Sequence, residues 1–502
     1  MITLTCNYTS AQDVLRCALE IANCEGVKWA EPNMFYKWDV HDLNPLYSLQ
    51  YYLHNNNSNE YDINVVPAWG ITTGSENITV AVIDQGVDPD HEDLSGSVLQ
   101  GYTCGNTTGY GQPQNANEFD YKGHGVACAG IIGARNNDKG ILGVAYGVKI
   151  LPVNIVPYTP TGYYENGVKK VTDNGFADEY EIAAAIQWAA ERADVLSCSW
   201  GGSNGSYPIA TAINNAMSNG RNGKGCVVVA CSGNGNPDVT TINFPARMDG
   251  VIAVGAIDRY GNIQSYSLRG PELDLVAPSG GIVTTDRMGT LGYNPVNSNG
   301  MDLTDTNYTQ LFNGTSASCP QVAGVAALML SVNPDLTVSQ VRSILRNTAT
   351  DLGAIGCDTI FGYGLVNAHS AVFLSTSPEI SGPTIPGSPS NYYIEGLPSD
   401  LNVVWSIQGQ NTLPSYCTVN YPAANQLQIN NSSKLHIKKT LVAKVYTANG
   451  TLAKTLTKYI NTADGFSGTY LQTVPTPYEI ISGDFYDGSF FHVKQGLFAY
   501  LT

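Results

Sequence analysis

The chain has 502 residues, too long for one domain of ordinary size, which predicts roughly two to four units. Apolar residues make up 43% and charged residues only 13%, enough for a sizeable buried core. The net charge of −17 argues against a nucleic-acid partner, because phosphate binding needs clustered Lys and Arg.

No apolar run reaches the roughly 18 residues that cross a bilayer, so no membrane span is expected. The opening MITLTCNYTSAQD lacks the basic start and apolar stretch of a secretory leader, which predicts either a cytoplasmic chain or one that begins downstream of its leader. The 11 cysteines are scattered without C-x-x-C spacing, so buried single thiols are expected in place of a disulfide framework or a zinc site.

From 77 to 346 short β-branched runs alternate with helical periods. NITVAVID (77–84), VKILPVNIV (148–156), ADVLSCSW (193–200), GCVVVACS (225–232) and GVIAVGAI (250–257) are mostly apolar and read as buried strands. Between them, EYEIAAAIQWAAERA (179–193) puts Ile182, Ile186 and Ala189 on one helix face, and ATAINNAMSNG (210–220) closes on a capping glycine. Strands apolar on both faces and separated by helices predict a parallel sheet covered on both sides, with ligand chemistry at the carboxyl ends of the strands. STSPEISGPTIPGSPSN (375–391), rich in Pro, Ser and Gly, reads as a linker. Beyond it NVVWSIQG, KLHIKKTLVAKVYT and TLAKTLTKYI predict an all-β sandwich of immunoglobulin size, and the Tyr- and Gly-rich stretch from 464 stays unassigned.

Three polar residues interrupt the apolar pattern at its edges. Asp84 ends the first strand before a glycine turn, and His124 stands between two glycines at the start of a helix-like segment. Gly-Thr-Ser316 opens a helix apolar nearly all round (Val322, Ala323, Val325, Leu328, Met329), hence a buried one, with Pro320 expected in its first turn. Each alone has an ordinary explanation, as turn residue, loop filler or helix cap. Together they supply what acyl transfer needs: a hydroxyl, an imidazole to take its proton and a carboxylate to orient the imidazole. Beside Ser316, Thr315 is expected to shape the turn and Cys319 to pack, with Ser318 inside the helix.

In that order VIDQGVDPDHEDL, GHGVACAGIIGA and NGTSASCPQVAG resemble the Asp, His and Ser motifs of the subtilases, the subtilisin-like serine peptidases, and FGYGLVNAHSAV (361–372) resembles that family's terminal helix. The resemblance spans about 40–372. It implies a three-layer α/β fold and a serine endopeptidase acting on protein or peptide substrates, with Ser316 as nucleophile, His124 as base and Asp84 as orienting carboxylate. CVVVACSGNGN resembles the strand that carries the oxyanion asparagine, which maps to Asn234. LSCSWGG resembles the substrate-pairing strand, implying backbone contacts from Ser199, Trp200 and Gly201, with Cys231, Ser232 and Gly233 as the opposite wall. Cys128 and the sequence GTSAS lean toward the kexin-like branch and its basic P1 preference, yet no acid follows Trp200 where that branch carries one.

No cofactor is implied for catalysis. Structural calcium is, with Asp93 and Asn137 matching two ligand positions, since carboxylate and amide oxygens suit that ion. ALEIANCEGVKWAEPNMF (18–35) resembles the end of an inhibitory propeptide, implying a zymogen restrained by its own front segment and processed between Asn33 and Asn44. The organisation that follows is 1–36 propeptide-like, 37–377 peptidase, 378–463 immunoglobulin-like and 464–502 β-rich and unassigned, in a monomer secreted or held in the cell envelope. One rival is GGSNG (201–205), a nucleophile elbow of α/β-hydrolase type with Ser203 and His369, which leaves Asp84, His124 and Asn234 without a role. Another is a non-catalytic binding protein on the same scaffold, acting through its sandwich.

Overall fold

The computed structural model describes residues 44–461 apart from 56, 58–59, 106–108, 115–116, 118–119, 121–122, 167, 237, 239–240, 295–300, 383–389, 409–416, 424, 432–437, 448–449 and 451. The chain divides into two compact units, 1–43 and 44–502. The propeptide-like segment and the stretch from 464 lie outside the described residues.

The second unit is built on one all-parallel sheet. Its strands are β1 (Thr79–Asp84), β2 (Tyr102–Thr103), β3 (Lys149–Asn154), β6 (Val195–Cys198), β7 (Val227–Cys231), β8 (Ile252–Ile257) and β9 (Leu275–Pro278), ordered β2-β3-β1-β6-β7-β8-β9. An antiparallel ribbon of β4 (Thr161–Glu165) and β5 (Val168–Asp173) follows β3, and a second of β10 (Ile282–Thr285) and β11 (Tyr308–Phe312) follows β9. Every residue of β1, β6, β7, β8 and β9 is buried, because helices cover both faces and alternation has no solvent side to serve. The helices are α1 (Val66–Trp69), α2 (His124–Gly133), α3 (Glu179–Ala190), α4 (Tyr207–Gly223), α5 (Thr315–Val332), α6 (Val338–Thr348) and α7 (Ala368–Ser375). Helices α3 and α4 pack on each other, and α2, α5 and α7 form a second group. The capping box expected of an Asp-x-x-Glu start is present at α3, where Asp178 accepts from the amides of Tyr180 and Glu181, both at 2.9 Å.

Helix α5 lies against β1, β6, β7, β8 and β9. By length and composition it is apolar enough to cross a membrane, but 89% of it is buried inside the fold, as a core helix is. Pro320 is not in its first turn. The helix begins at Thr315, so the proline sits in the second turn and removes the N–H that would bond the Ser316 carbonyl. Cysteines 104, 128, 198, 226, 231 and 319 are free and buried, as expected of small core residues, while Cys357 is exposed.

The stretch read as a linker is partly structured. β12 (Ile380–Ser381) pairs with β13 (Ser390–Ile394), so only residues 376–379 separate α7 from the first β-element of the next layer. With β14 (Leu401–Gln408), β15 (Cys417–Ala423), β16 (Gln426–Asn431), β17 (Lys438–Thr447) and β18 (Leu452–Asn461) the sheets are β12-β13-β16-β15 and β14-β17-β18. Both are antiparallel, and in chain order this is the ABED and CFG arrangement of an immunoglobulin-type sandwich.

Its core of Tyr392, Trp405, Leu427 and Leu441 also takes in Phe373 and Leu374 of α7. Asp400, half-buried at the junction, accepts hydrogen bonds from Asn367 Nδ2 and Ser370 Oγ, each at 2.7 Å. Hydrogen bonds to a charged group contribute about 1.5–3 kcal/mol, and removing the acceptor strands two buried donors. Asp400→Ala is therefore expected to lower unfolding stability by roughly 2–4 kcal/mol, read as a fall in denaturant midpoint.

Candidate active site

The carboxyl ends of adjacent strands converge on one cleft of about 290 Å³. Strand β1 delivers Asp84, the residues after β3 deliver Ile155 and Val156, β6 leads to Ser199, Trp200 and Gly201, and β7 ends in Cys231, Gly233 and Asn234. Ser316 enters at the start of α5 and His124 at the start of α2. The sheet explains why residues so far apart in sequence meet: Asp84 is the last residue of a strand paired along its length with β3 and over Val80–Val82 with β6.

Asp84 is 3% exposed and His124 22% exposed, and His124 Nδ1 lies 2.8 and 2.9 Å from the two carboxylate oxygens. The close approach requires glycine: a Cβ on Gly125 would lie 2.3 Å from the Gly86 carbonyl oxygen in the turn after Asp84. On its other side the imidazole meets Phe312 edge-on at 5.5 Å, and Phe312 packs on Tyr293 at 5.9 Å. Burial works against a charge on His124, but the adjacent Asp84 carboxylate outweighs it and holds the imidazole pKa well above the ordinary 6.5.

Ser316 Oγ donates to the Ser199 carbonyl at 3.2 Å, and Ser199 Oγ donates to the Ser316 carbonyl at 3.1 Å. The second bond fills the acceptor that Pro320 leaves open in the helix ladder, so the proline fastens the start of α5 to the end of β6. Cys128 Sγ lies 3.7 Å from the same carbonyl oxygen and 3.9 Å from His124 Nδ1. The resting Ser316 hydroxyl is thus turned to Ser199, with His124 across the same cleft.

Asn234 is held by Thr315. Its Oδ1 accepts from Thr315 N at 3.0 Å and Thr315 Oγ1 at 3.1 Å, while Thr315 Oγ1 in turn accepts from Gly233 N at 3.2 Å. With Oδ1 occupied, Nδ2 is the donor left to face the cleft. The Ser316 amide belongs to the first turn of α5, where N–H groups have no intrahelical acceptor and the helix dipole favours negative charge. Gly314 makes the entry possible with φ of +82°.

Of the residues singled out from sequence, Asp84, His124, Asn234, Ser316, Ser199, Trp200, Gly201, Cys231 and Gly233 all line the cleft. Ser232 does not. It is fully buried behind the wall, its N–H bonded to the Val254 carbonyl at 2.8 Å. Burial pushes the Cys231 thiol up to about 11, so it is a neutral wall residue at neutral pH. Asn243 and Phe176 also line the cleft and were not anticipated, since neither stands in a motif. Nor was the bracing role of Thr315, whose only sequence signal is its place before the serine. Ser203 and His369 are not among the residues lining the cleft; His369 stands near Asp400 at the start of α7.

Asp93 and Asn137 lie away from the cleft, around the loop that follows α2. Asp93 is fully buried, with Oδ2 accepting from Ile141 N at 2.8 Å and Oδ1 left without a partner. Among the described residues no cationic side chain pairs with it, and burial pushes its carboxyl up to about 6. Asn44, unmarked in the sequence, joins this loop: its Nδ2 donates to the Arg135 and Ile141 carbonyls at 2.8 and 2.5 Å, and its buried Oδ1 is also unpartnered. Asn137 instead braces the loop itself, donating to Glu92 O at 2.9 Å and accepting from Lys139 N at 3.2 Å.

Known proteins resemble this chain in sequence and in fold. A sequence model of the Subtilase family matches residues 75–364. The chain is 36% identical over 346 residues to a calcium-dependent protease of Trichormus variabilis, covering 62% of this chain and 48% of that protein. It is 35% identical over 298 residues to subtilisin DY of Bacillus licheniformis, covering 59% of this chain and 90% of that one. Among solved structures it resembles a protease of Pseudoalteromonas arctica at TM-score 0.53 and 29% identity, over 66% of this chain and 98% of that one. The chain spans about half the length of the first of these relatives. The matched region encloses Asp84, His124, Asn234 and Ser316 together with the whole parallel sheet that gathers them, and on that footing the chain belongs to the subtilase family.

Proposed function

We propose that the protein is a serine endopeptidase that hydrolyses peptide bonds through an acyl-enzyme. The observation that carries this reading is the Asp84–His124 pair at 2.8 Å, opening into the cleft that Ser316 enters from a helix start. Substrate binding turns the Ser316 hydroxyl from Ser199 toward His124 Nε2. The imidazole takes its proton as Oγ attacks the carbonyl carbon, then returns that proton to the leaving amine, and water repeats the sequence to release the acid. Asp84 fixes the tautomer with the proton on Nδ1 and stabilises the imidazolium. Asn234 Nδ2 and the Ser316 amide receive the oxyanion, and one such donor is worth about 10²–10³ in kcat. Ile155, Val156 and Trp200 give the cleft apolar walls and Asn243 a polar one, and among the described residues the only carboxylate lining it is Asp84. This favours uncharged side chains beside the scissile bond over the basic ones of the kexin-like branch.

The front segment 1–36 acts in this reading as an intramolecular inhibitor, removed by cleavage between Asn33 and Asn44. Placement outside the cytoplasm, in the medium or the envelope, goes with it, because an endopeptidase restrained only by its own front segment endangers its host cell. A calcium ion would supply structural rigidity rather than chemistry. The two unpartnered buried oxygens, Asp93 Oδ1 and Asn44 Oδ1, are the donor type such a hard cation takes.

Three measurements test these statements. Ser316→Ala is expected to lower kcat about 10⁶-fold and abolish fluorophosphonate labelling, while Ser203→Ala leaves both intact; the opposite pattern would move the chemistry to the nucleophile elbow. The pH profile of kcat/KM should rise on an acid limb displaced above 6.5, because the neutral imidazole is the base and Asp84 raises its pKa. The same pair stabilises the fold fully below the free-imidazole value and loses that contribution as pH climbs through the raised one. Asp84→Asn should bring the limb back down and cost about 10⁴ in kcat. Finally, chelation of calcium from the processed protein should lower Tm by several degrees, and Asp93→Asn should have a low Tm that no longer responds to chelator.

A further inference from the structure

The ribbon β4–β5 has no buried residue, yet it carries large apolar side chains on both faces. Tyr163, Tyr164, Val168 and Val171 are 52%, 54%, 56% and 42% exposed. The register sets Tyr163 opposite Lys170 and Tyr164 opposite Lys169, so Tyr164 and Val171 share one face while Tyr163 and Val168 share the other. A two-stranded ribbon of this kind is marginal in water unless its feet are fixed. Here they are: Ala177 N bonds the Ile155 carbonyl at 2.9 Å, Tyr158 N bonds the Gly175 carbonyl at 3.1 Å, and Asn117 Nδ2 bonds the Pro160 carbonyl at 2.8 Å. Those feet belong to the cleft. Ile155 and Val156 line it just before the ribbon, and Phe176, 43% exposed, lines it just after.

We propose that the β4–β5 ribbon is a docking surface for the unfolded polypeptide substrate, gripping apolar side chains upstream of the scissile bond. This rests on the endopeptidase reading, which runs the substrate along Ser199–Gly201 and out past Val156 and Phe176. The cleft residues Ile155, Val156 and Phe176 flank the two feet of the ribbon, so a chain leaving the cleft on that side passes its tyrosine and valine side chains, with Lys169 and Lys170 beside them. Tyrosine suits the purpose: it offers a broad apolar face at low conformational cost and keeps a hydroxyl in water when no substrate is present. A folded substrate loop or a short peptide would not reach it.

The test compares the processed full-length protein with Tyr163→Ser/Tyr164→Ser/Val168→Ser/Val171→Ser, and with the single-face pair Tyr163→Ser/Val168→Ser, using β-casein and a tetrapeptide anilide as substrates. Loss of both faces should raise KM for β-casein about tenfold, the equivalent of ~1.4 kcal/mol. kcat, fluorophosphonate labelling and all constants for the anilide should stay at the wild-type values, and the pair should fall between. Equal KM values for β-casein in all three proteins, with labelling intact, overturn the docking surface alone. A changed sedimentation coefficient with unchanged KM assigns the ribbon to a second copy of the chain and overturns it equally. A wild-type protein that neither labels nor cleaves overturns the endopeptidase reading and the docking surface together.

Discussion

The hydrogen-bonding deficit at the start of α5 governs the site. A helix start leaves its first amides unsatisfied, and in this chain Pro320 also leaves the Ser316 carbonyl without its helix partner. Buried polar groups must be paired, so each vacancy recruits a neighbour. Asn234 takes the Thr315 amide, and Ser199 takes the Ser316 carbonyl. The same shortage that would weaken an ordinary helix ties α5 to the ends of β6 and β7. Because α5 is otherwise buried against five strands, it has no freedom to relieve that shortage by shifting.

On the opposite side the imidazole is held by different means. Asp84 fixes its Nδ1 through charge and hydrogen bonding, Phe312 fixes the ring through edge contact, and glycines at 86 and 125 let the two backbones approach closely enough for both. None of these contacts comes from α5. Ser316 and His124 therefore sit on separately anchored elements that line one cleft, with the sheet as their common reference. Such an arrangement leaves the serine free to change partner without disturbing the imidazole.

Much of this could be read from the residues. Buried parallel strands show as mostly apolar runs, and Asp84 at the end of the first, His124 between two glycines and Ser316 before an apolar helix stand out as polar residues at the edges of that pattern. What could not be read is whatever depends on a side chain's second partner. Thr315 looks like a turn residue until its hydroxyl is seen between Gly233 and Asn234. Ser232 has the motif position of a wall residue but is fully buried, its N–H taken up by the Val254 carbonyl of the next strand. Pro320 was misplaced by a turn, since the helix starts only at Thr315 and the first-turn exemption does not extend so far. Asn44 has no local signal at all; its role depends on a loop about 90 residues away in sequence, a separation no periodicity reports. The composition of the stretch from Ser375 to Asn391 predicts a linker, whereas Ile380, Ser381, Ser390 and Asn391 belong to paired strands.

The short passage from α7 into the sandwich has a consequence for durability. Residues 376–379 form a bridge too short to act as a tether, and the two parts it joins are held independently by a mixed core around Phe373 and Leu374 and by the carboxylate of Asp400. A backbone break within the bridge would therefore leave both fragments clasped, much as a mortise outlasts its glue. Integrity of the molecule does not hinge on the continuity of those peptide bonds.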